Sequence, residues 1–339
     1  MSKVLIIDGN NLSFRIWASF VASGASPLTT SVGLPTTTFY GIIRSLETFC
    51  KTYTVDKALV AWDVGGGSAY RKSIYPIYKG NRTYTDMDDF FGDVDACRDY
   101  FNAIGLNQAP LKGIEADDTI GWMAVQCIKK GHEVIIYSDD KDYYQLMRKG
   151  LSIYRPSTEK LMRKKDIMAL YGKWENFQPK HLILVDALVG QEKDFIPGAC
   201  DIDLKKKKLV KFGFGPDKAR KLLVAADYDF TKAKEILKGE DCPINDAHRT
   251  QILKNWKQVL LSRRLARIRT INKQYSREEL AKLKRTRKAL FSETPVRART
   301  IVRLIKDLEI KTVDVIAILK GVGVNITGND RSPMAGIKT

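Results

Sequence analysis

Three apolar runs in this chain end on an acid, and that repeat limits the fold more than any other feature. Lys3-Val-Leu-Ile-Ile7 runs into Asp8-Gly9-Asn10-Asn11, Lys57-Ala-Leu-Val-Ala-Trp62 into Asp63, and Glu133-Val-Ile-Ile-Tyr137 into Ser138-Asp139-Asp140-Lys141-Asp142. Short continuous apolar runs bounded by turn signals read as buried strands. Between them lie segments with helical spacing: Phe39, Ile42, Ile43 and Leu46 behind a Gly33-Leu-Pro turn, and Ile120, Ala124, Cys127 and Ile128 behind Glu115-Ala-Asp-Asp118. Strand, helix, short break, strand is an α/β repeat. Open sheets of that kind place their ligands at the carboxyl ends of the strands, where these acids stand.

Ionised carboxylates gathered in one place repel, and they persist where divalent cations neutralise them. Either Glu115–Asp118 or Asp139–Asp142 taken alone reads equally well as the capping of a helix start. Three strand-end aspartates together with a helix-start cluster make a different pattern. They match a metal-dependent phosphodiester hydrolase, in which two cations roughly 4 Å apart activate a water and stabilise the leaving oxygen.

At 339 residues the chain can bury a full core and is expected to hold two domains. Lys and Arg total 57 against 39 Asp and Glu, a net charge of +18, which points to a polyanionic partner. Residues 201–320 hold 31 basic and 15 acidic residues, so +16 of that charge lies there. Five scattered cysteines form no CxxC pair or zinc spacing, and reduced thiols of a cytoplasmic protein are expected. No apolar run approaches membrane-spanning length, and the start reads as a strand rather than a signal peptide.

In chain order the motifs resemble those of the 5′-nucleases: flap endonucleases, the 5′→3′ exonuclease domains of bacterial DNA polymerases, and phage 5′-exonuclease/RNase H enzymes. Ile7-Asp8-Gly9 with Leu12 and Arg15 is similar to the family's opening motif. Gly33-Leu-Pro-Thr36, Tyr40-Gly41 and Trp62-Asp63 follow, then Arg71-Lys72 and Pro76-Ile-Tyr-Lys-Gly-Asn-Arg82. Glu115-Ala-Asp-Asp118, Ser138-Asp-Asp-Lys-Asp142 and Leu188-Val-Gly-Gln-Glu-Lys-Asp-Phe-Ile-Pro-Gly198 complete the series.

The resemblance implies a PIN-like, mostly parallel sheet flanked by helices, with a helix–two-turn–helix module and a basic helical C-terminal region. It implies two Mg2+ or Mn2+ sites, one held by Asp8, Asp63, Glu115 and Asp117, the other by Asp118, Asp140, Asp142 and Asp194. Lys79 and Arg82 would meet the scissile phosphate, Arg71 and Lys72 would bind DNA, and Tyr75 and Tyr78 would either stack on an unpaired base or pack as ordinary aromatics beside Pro76. Gly213-Phe-Gly215 with Lys218, Arg220 and Lys221 is similar to the second half of the duplex-gripping module, which sometimes holds K+. The implied substrates are DNA with a 5′ flap or nick, or an RNA–DNA primer end. A sliding clamp or single-strand-binding protein would be a partner. A monomer is expected, cytoplasmic and nucleoid-associated, without a membrane and free of any polymerase region.

Three departures stand out. The first Asp of the family's GDxSDNIPG motif is Gln191, whose amide oxygen can still ligate a cation but brings no charge, so the second metal should bind more weakly unless Glu192 or Asp194 compensates, and the Asn is Phe195. Residues 85–99, where flap endonucleases carry a basic arch, are short and acidic and are expected to cap a helix towards Ile104. Residues 199–212 intervene before Gly213, with Lys205–Lys208 read as a solvated loop between two DNA-binding halves. Further on, Trp256–Ile271 is expected as one basic amphipathic helix with Val259, Leu260, Leu265 and Ile268 inward, followed by helices at 277–290 and 297–308. The expected domains are 1–180 catalytic, 181–325 DNA-binding, and a flexible tail 326–339. A junction-binding protein disabled at Gln191, and another PIN-like ribonuclease, are the alternatives.

Overall fold

The computed structural model describes residues 1–83, 87–172, 174–292 and 294–328. Its centre is a six-stranded sheet in the order β3-β2-β1-β4-β5-β6. The strands are β1 (Lys3–Asp8), β2 (Lys57–Trp62), β3 (Asn107–Pro110), β4 (Glu133–Tyr137), β5 (Leu151–Arg155) and β6 (Lys160–Met162), parallel except for the β5–β6 pair. The order reverses direction at β1, so a crevice opens above the adjoining ends of β2, β1 and β4.

The helices between them are α1 (Gly9–Ser23), α2 (Thr37–Cys50), α3 (Ala69–Ile74), α4 (Asp88–Ala103) and α5 (Ala116–Lys129). A 3-10 helix (Lys141–Leu146) follows β4. Leu5, Ile7, Val60, Trp62, Ile135 and Tyr137 face the layer built by α1, α2 and α4. The alternate residues Val4, Ile6, Leu59, Ala61, Val134 and Ile136 face α5 and the 3-10 helix. Burial on both faces is why these strands read as unbroken apolar runs.

After α6 (Lys164–Leu170) come α7 (Leu182–Val189), a hairpin of β7 (Asp201–Asp203) and β8 (Lys208–Val210), then α8 (Pro216–Ala225), α9 (Phe230–Lys238), α10 (Asp246–Lys254) and α11 (Trp256–Leu265). Leu188, Leu222, Leu237, Ile252 and Val259 of these helices share a third core. The remaining elements return to the sheet. Leu283 and Leu290 of α12 (Arg277–Leu290) join the α5 side, while Ile301 of α13 (Ala298–Asp307) and Leu319 of α14 (Val315–Gly321) join the α2 side. A short parallel pair, β9 (Val296–Arg297) with β10 (Ile326–Thr327), closes the chain, so the expected tail begins as a strand. The rest of that tail from residue 329, like residues 85 and 86 of the expected acidic arch, lies outside the described residues. From Asp88 the arch segment is the helix α4.

Two expectations need correction. The helix beginning at Trp256 ends at Leu265 rather than Ile271, and Leu260 is 41% exposed. The buried Arg269 is bonded through its backbone N–H to Asp118 at 2.8 Å and through Nε at 2.7 Å. A long-range ion pair there overrides helical periodicity, leaving Ala266–Ile271 irregular. The second correction concerns the surroundings of the lysine run: Lys205–Lys207 form an exposed turn, but it joins residues 201–203 and 208–210 as an antiparallel hairpin.

Candidate active site

Each carboxylate owes its place to a chain reversal at the carboxyl edge of the sheet. Asp8 ends β1 and caps α1, with Oδ1 accepting from the Asn11 amide at 3.1 Å. Asp63 follows β2, and its Oδ1 accepts from the Ala116 amide at 2.7 Å, tying β2 to the start of α5. Glu115 caps α5, with Asp117 and Asp118 in the first turn. Asp140 caps the 3-10 helix and accepts from the Asp142 amide at 2.9 Å.

Tyr143 connects the first group from below. Fully buried, its hydroxyl lies 3.0 Å from Asp8 Oδ2 and 2.6 Å from Asp117 Oδ1, while Ser138 donates to the same Asp8 oxygen at 3.0 Å. One phenol carries one proton, so it cannot donate to both acids at once. Burial, reinforced by Asp140 and Asp63, pushes Asp8 up to about 6. Burial and then the charges of Asp8 and Asp140 push Asp117 well above the usual carboxylate range. Asp142 is raised to about 7 by burial and by Asp140.

The basic residues sit on the other flank. Lys79 donates to Glu115 Oε1 at 2.6 Å, and its own backbone N–H bonds the Asp194 carbonyl at 3.0 Å. Its φ of 57° is unusual for a side chain of this size. Burial disfavours that ammonium, but Glu115 and Asp194 outweigh it and keep Lys79 charged. Arg82 pairs with Asp194, and Lys193 reaches Asp140 Oδ2 at 2.6 Å. Asp140, Asp142, Asn11, Gln191, Glu192 and Lys193 line an open cleft of about 420 Å³.

Several expected roles do not survive the placement. Asp118 is fully buried, and Arg71 and Arg269 take both its oxygens. Burial would raise its pKa, yet the two guanidiniums hold it below the usual range. It locks α5 to the Leu265–Arg269 segment rather than facing the second group of acids. Arg71, itself 4% exposed, bonds Glu115, Asp118 and the carbonyls of Leu265 and Arg267, so it is a buried tie and not a DNA contact. Tyr78 is 3% exposed, packed on Ile183, Ile196 and Leu265 under the Lys79 ammonium, and cannot stack on a base. Tyr75 is half-buried in the same cluster, while Lys72 is exposed. Glu192, on the cleft wall, pairs with Lys211 at 2.8 Å. Gln191 donates its amide nitrogen to Asp142 at 3.3 Å.

Sequence reading missed four participants. Tyr143 and Ser138 gave no signal beyond adjacency to the acids. Lys193 sits inside the motif, at the place of the family's Ser. Asp186 had a usable signal, as the single charge in the otherwise apolar helix Leu182–Val189. It hydrogen-bonds the Gln191 side chain, and burial together with the Asp142 charge raises it to about 7. The module residues are placed as α8, whose N-terminus follows Gly215; Gly213 has φ 73°, Lys218 folds back onto the Gly213 carbonyl at 2.6 Å, and Lys221 is exposed with Arg220 half-buried.

Among the described residues no three acid, histidine or cysteine side chains converge closely enough to enclose a cation as they stand. The donor chemistry still fits a hard divalent ion: Asp8, Asp63, Asp117, Asp140 and Asp142 offer oxygens only, on one sheet edge, and Tyr143 brings Asp8 and Asp117 to one hydroxyl.

Residues 3–172 match the family model described as the 5′-3′ exonuclease N-terminal resolvase-like domain. The chain belongs to the 5′-3′ exonuclease family. It is 30% identical over 206 residues to a 5′-3′ exonuclease of Buchnera aphidicola, covering 60% of this chain and 68% of that one. It is also 30% identical over 272 residues to a thermostable DNA polymerase I of Thermus filiformis, covering 79% of this chain. Only 29% of the polymerase's length is spanned. A solved T5 5′-exonuclease with bound zinc superposes with a TM-score of 0.66 at 17% identity, over 85% of this chain and 99% of that one. The central sheet and its helices are thus the PIN-like fold of that enzyme. No helix among the described residues is long and apolar enough to cross a membrane.

Proposed function

We propose that this member of the family is a divalent-metal-dependent, structure-specific 5′-nuclease that hydrolyses a phosphodiester near the 5′ end of a strand. The observation that carries this is the ring of Asp8, Asp63, Asp117, Asp140 and Asp142 at the carboxyl ends of three adjoining parallel strands, with Lys79 and Arg82 on its rim. Two Mg2+ or Mn2+ ions held there supply charge neutralisation and an acidified water. Lys79 and Arg82 now neutralise Glu115 and Asp194. A substrate phosphate entering the cleft takes over part of that pairing, so both cations bind and orient the scissile group without leaving their anchors. Tyr143 and Ser138 donate to the Asp8 carboxylate and so fix its position, while any proton it loses when the ring is loaded passes to solvent.

The substrates of this reading are DNA with a 5′ flap or nick and RNA–DNA primer ends, met during replication and repair. The Gly213–Leu223 turn and helix serve the duplex, with K+ at the module, and the protein works as a cytoplasmic monomer beside a clamp or single-strand-binding protein. The test uses a 5′-labelled duplex with a short 5′ flap, with and without Mg2+, and Asp140→Ala as control. Mg2+-dependent release of short 5′ products that the variant lacks is the expected result. Tight binding without cleavage in Mg2+ and in Mn2+ would refute it.

A further inference from the structure

Two departures from the family pattern, Phe195 and the inserted residues 199–212, meet in one place. Phe195 has φ 54°, a left-handed backbone that suits asparagine and strains a bulky side chain. Its ring is 1% exposed and packs with Cys200 and Leu209 of the inserted segment, joined by Ile77, Ile202 and Phe212. Ile77 stands two residues before Lys79, and Phe195 directly follows Asp194. The hairpin therefore rests its apolar foot on the two loops that carry the basic flank of the cleft.

Its other attachments are polar and come from α10 and α11. Gln258 donates to the carbonyls of Gly198 at 3.0 Å and Cys200 at 2.6 Å. Asn255 donates to the Ala199 carbonyl and to Asp201, both at 3.0 Å, and Lys254 pairs with Asp201 at 3.1 Å. Lys211 at the end of β8 reaches Glu192 on the cleft wall. A segment held at its base by this many bonds is a fixed projection.

At its far end the chemistry changes. Lys205, Lys206, Lys207 and Lys208 are all exposed, while the two acids of β7 are occupied: Asp201 by Lys254 and Asn255, Asp203 by the Lys206 amide at 3.0 Å. Four like charges on a turn repel, and folding gains nothing from holding them together. A polyanion compensates for that cost.

We propose that the hairpin Asp201–Val210 is a fixed, lysine-tipped prong that grips the phosphate backbone of the nucleic-acid duplex beside the cleft, a contact separate from the α8 turn. The inference rests on the nuclease reading, and its test is arranged to fail separately. Binding of the full-length protein to a labelled flap duplex is measured across a salt series in Ca2+. The parent is compared with a variant carrying Lys205→Gln, Lys206→Gln, Lys207→Asn and Lys208→Gln; Asn is used where Lys207 has φ 48°. A control carries Lys129→Gln, Lys130→Gln and Lys149→Gln, exposed lysines that precede β4 and β5 at the opposite sheet edge.

Each lost phosphate contact removes roughly 0.9 from the slope of log K against log salt. The prong variant should lose about 2 or more of that slope, with the control unchanged. Equal slopes in parent and prong variant, or equal losses in prong variant and control, overturn the prong and leave the nuclease reading standing. A parent that neither binds nor cuts the duplex removes the nuclease reading itself.

Discussion

At the scale of single residues, the question is where the negative charge that Gln191 lacks has gone. Glu192 faces Lys211 and Asp194 is neutralised by Arg82. Asp186 stands on the other side of the Gln191 side chain, hydrogen-bonded to it and close enough to Asp142 to feel its charge. It is the available substitute. Replacing Asp186 with Asn should weaken Mn2+ binding, followed by calorimetry without DNA, by the 10- to 100-fold range typical of groups that support metal ligands. Gln191→Asp should strengthen it. Unchanged affinity in Asp186→Asn would show that Asp186 only packs.

The same carboxylates set a pH dependence. Asp8 near 6 and Asp142 near 7 hold their protons more tightly folded than unfolded, where carboxyls titrate near 4. Between those values the native state binds more protons, so their contribution is fully present below the unfolded pKa and is lost as pH rises to about 7. Asp118 and Asp194 have depressed values, and their contribution is lost only below about pH 4. Urea unfolding in chelator should therefore show a more stable protein at about pH 5.5 than at about pH 8, and Mg2+ should restore stability at the higher pH. Stability rising with pH in chelator would contradict the proton-holding ring.

At the scale of elements, what the sequence shows depends on how far away an element's reasons lie. The strands ending at Asp8, Asp63 and Asp140 were legible because both sheet faces bury them and an apolar run records that locally. The end of α11 was not: it depends on Arg269 finding Asp118, 151 positions earlier in the chain. The sealed positions of Arg71 and Tyr78 were hidden for the same reason, since each packs against the Leu265–Ala266 segment or its neighbours. The hairpin was hidden differently, its strands being three residues long within a lysine run that reads as loop. Gly190 and Gly198 stand at a tight crossing, where a Cβ on Gly198 would come within 2.3 Å of the Gly190 nitrogen.

That hairpin gives a prediction at its own scale. Phe195→Asn restores a residue that accepts φ near 54° and removes the apolar foot. The strand amides of 201–203 and 208–210 should then exchange with solvent markedly faster by hydrogen-exchange mass spectrometry, with the central sheet unaffected. Unchanged protection would mean that the bonds from Gln258 and Asn255 hold the hairpin without it.

At the scale of the whole molecule, the three cores do not follow the order of the chain. The sequence suggests a catalytic part ending near residue 180, yet α13 and α14 return to fill the layer over α2 and α4. Ile301, Leu319 and Val322 are fully buried there. Exposing these three costs about 5–9 kcal/mol at 1.5–3 kcal/mol per side chain, comparable to the whole stability of an ordinary domain. A chain stopped after Ser292 keeps every carboxylate of the cleft, Lys79, Arg82 and the hairpin, so a catalytic part that stood alone would still fold and cut. The packing predicts the opposite: no cooperative thermal transition by circular dichroism, an aggregated profile in size-exclusion chromatography, and no cleavage. A sharp transition together with Mg2+-dependent cleavage would show that the sheet needs only α1, α2 and α4 on that face, and that the last helices are an addition to a complete nuclease.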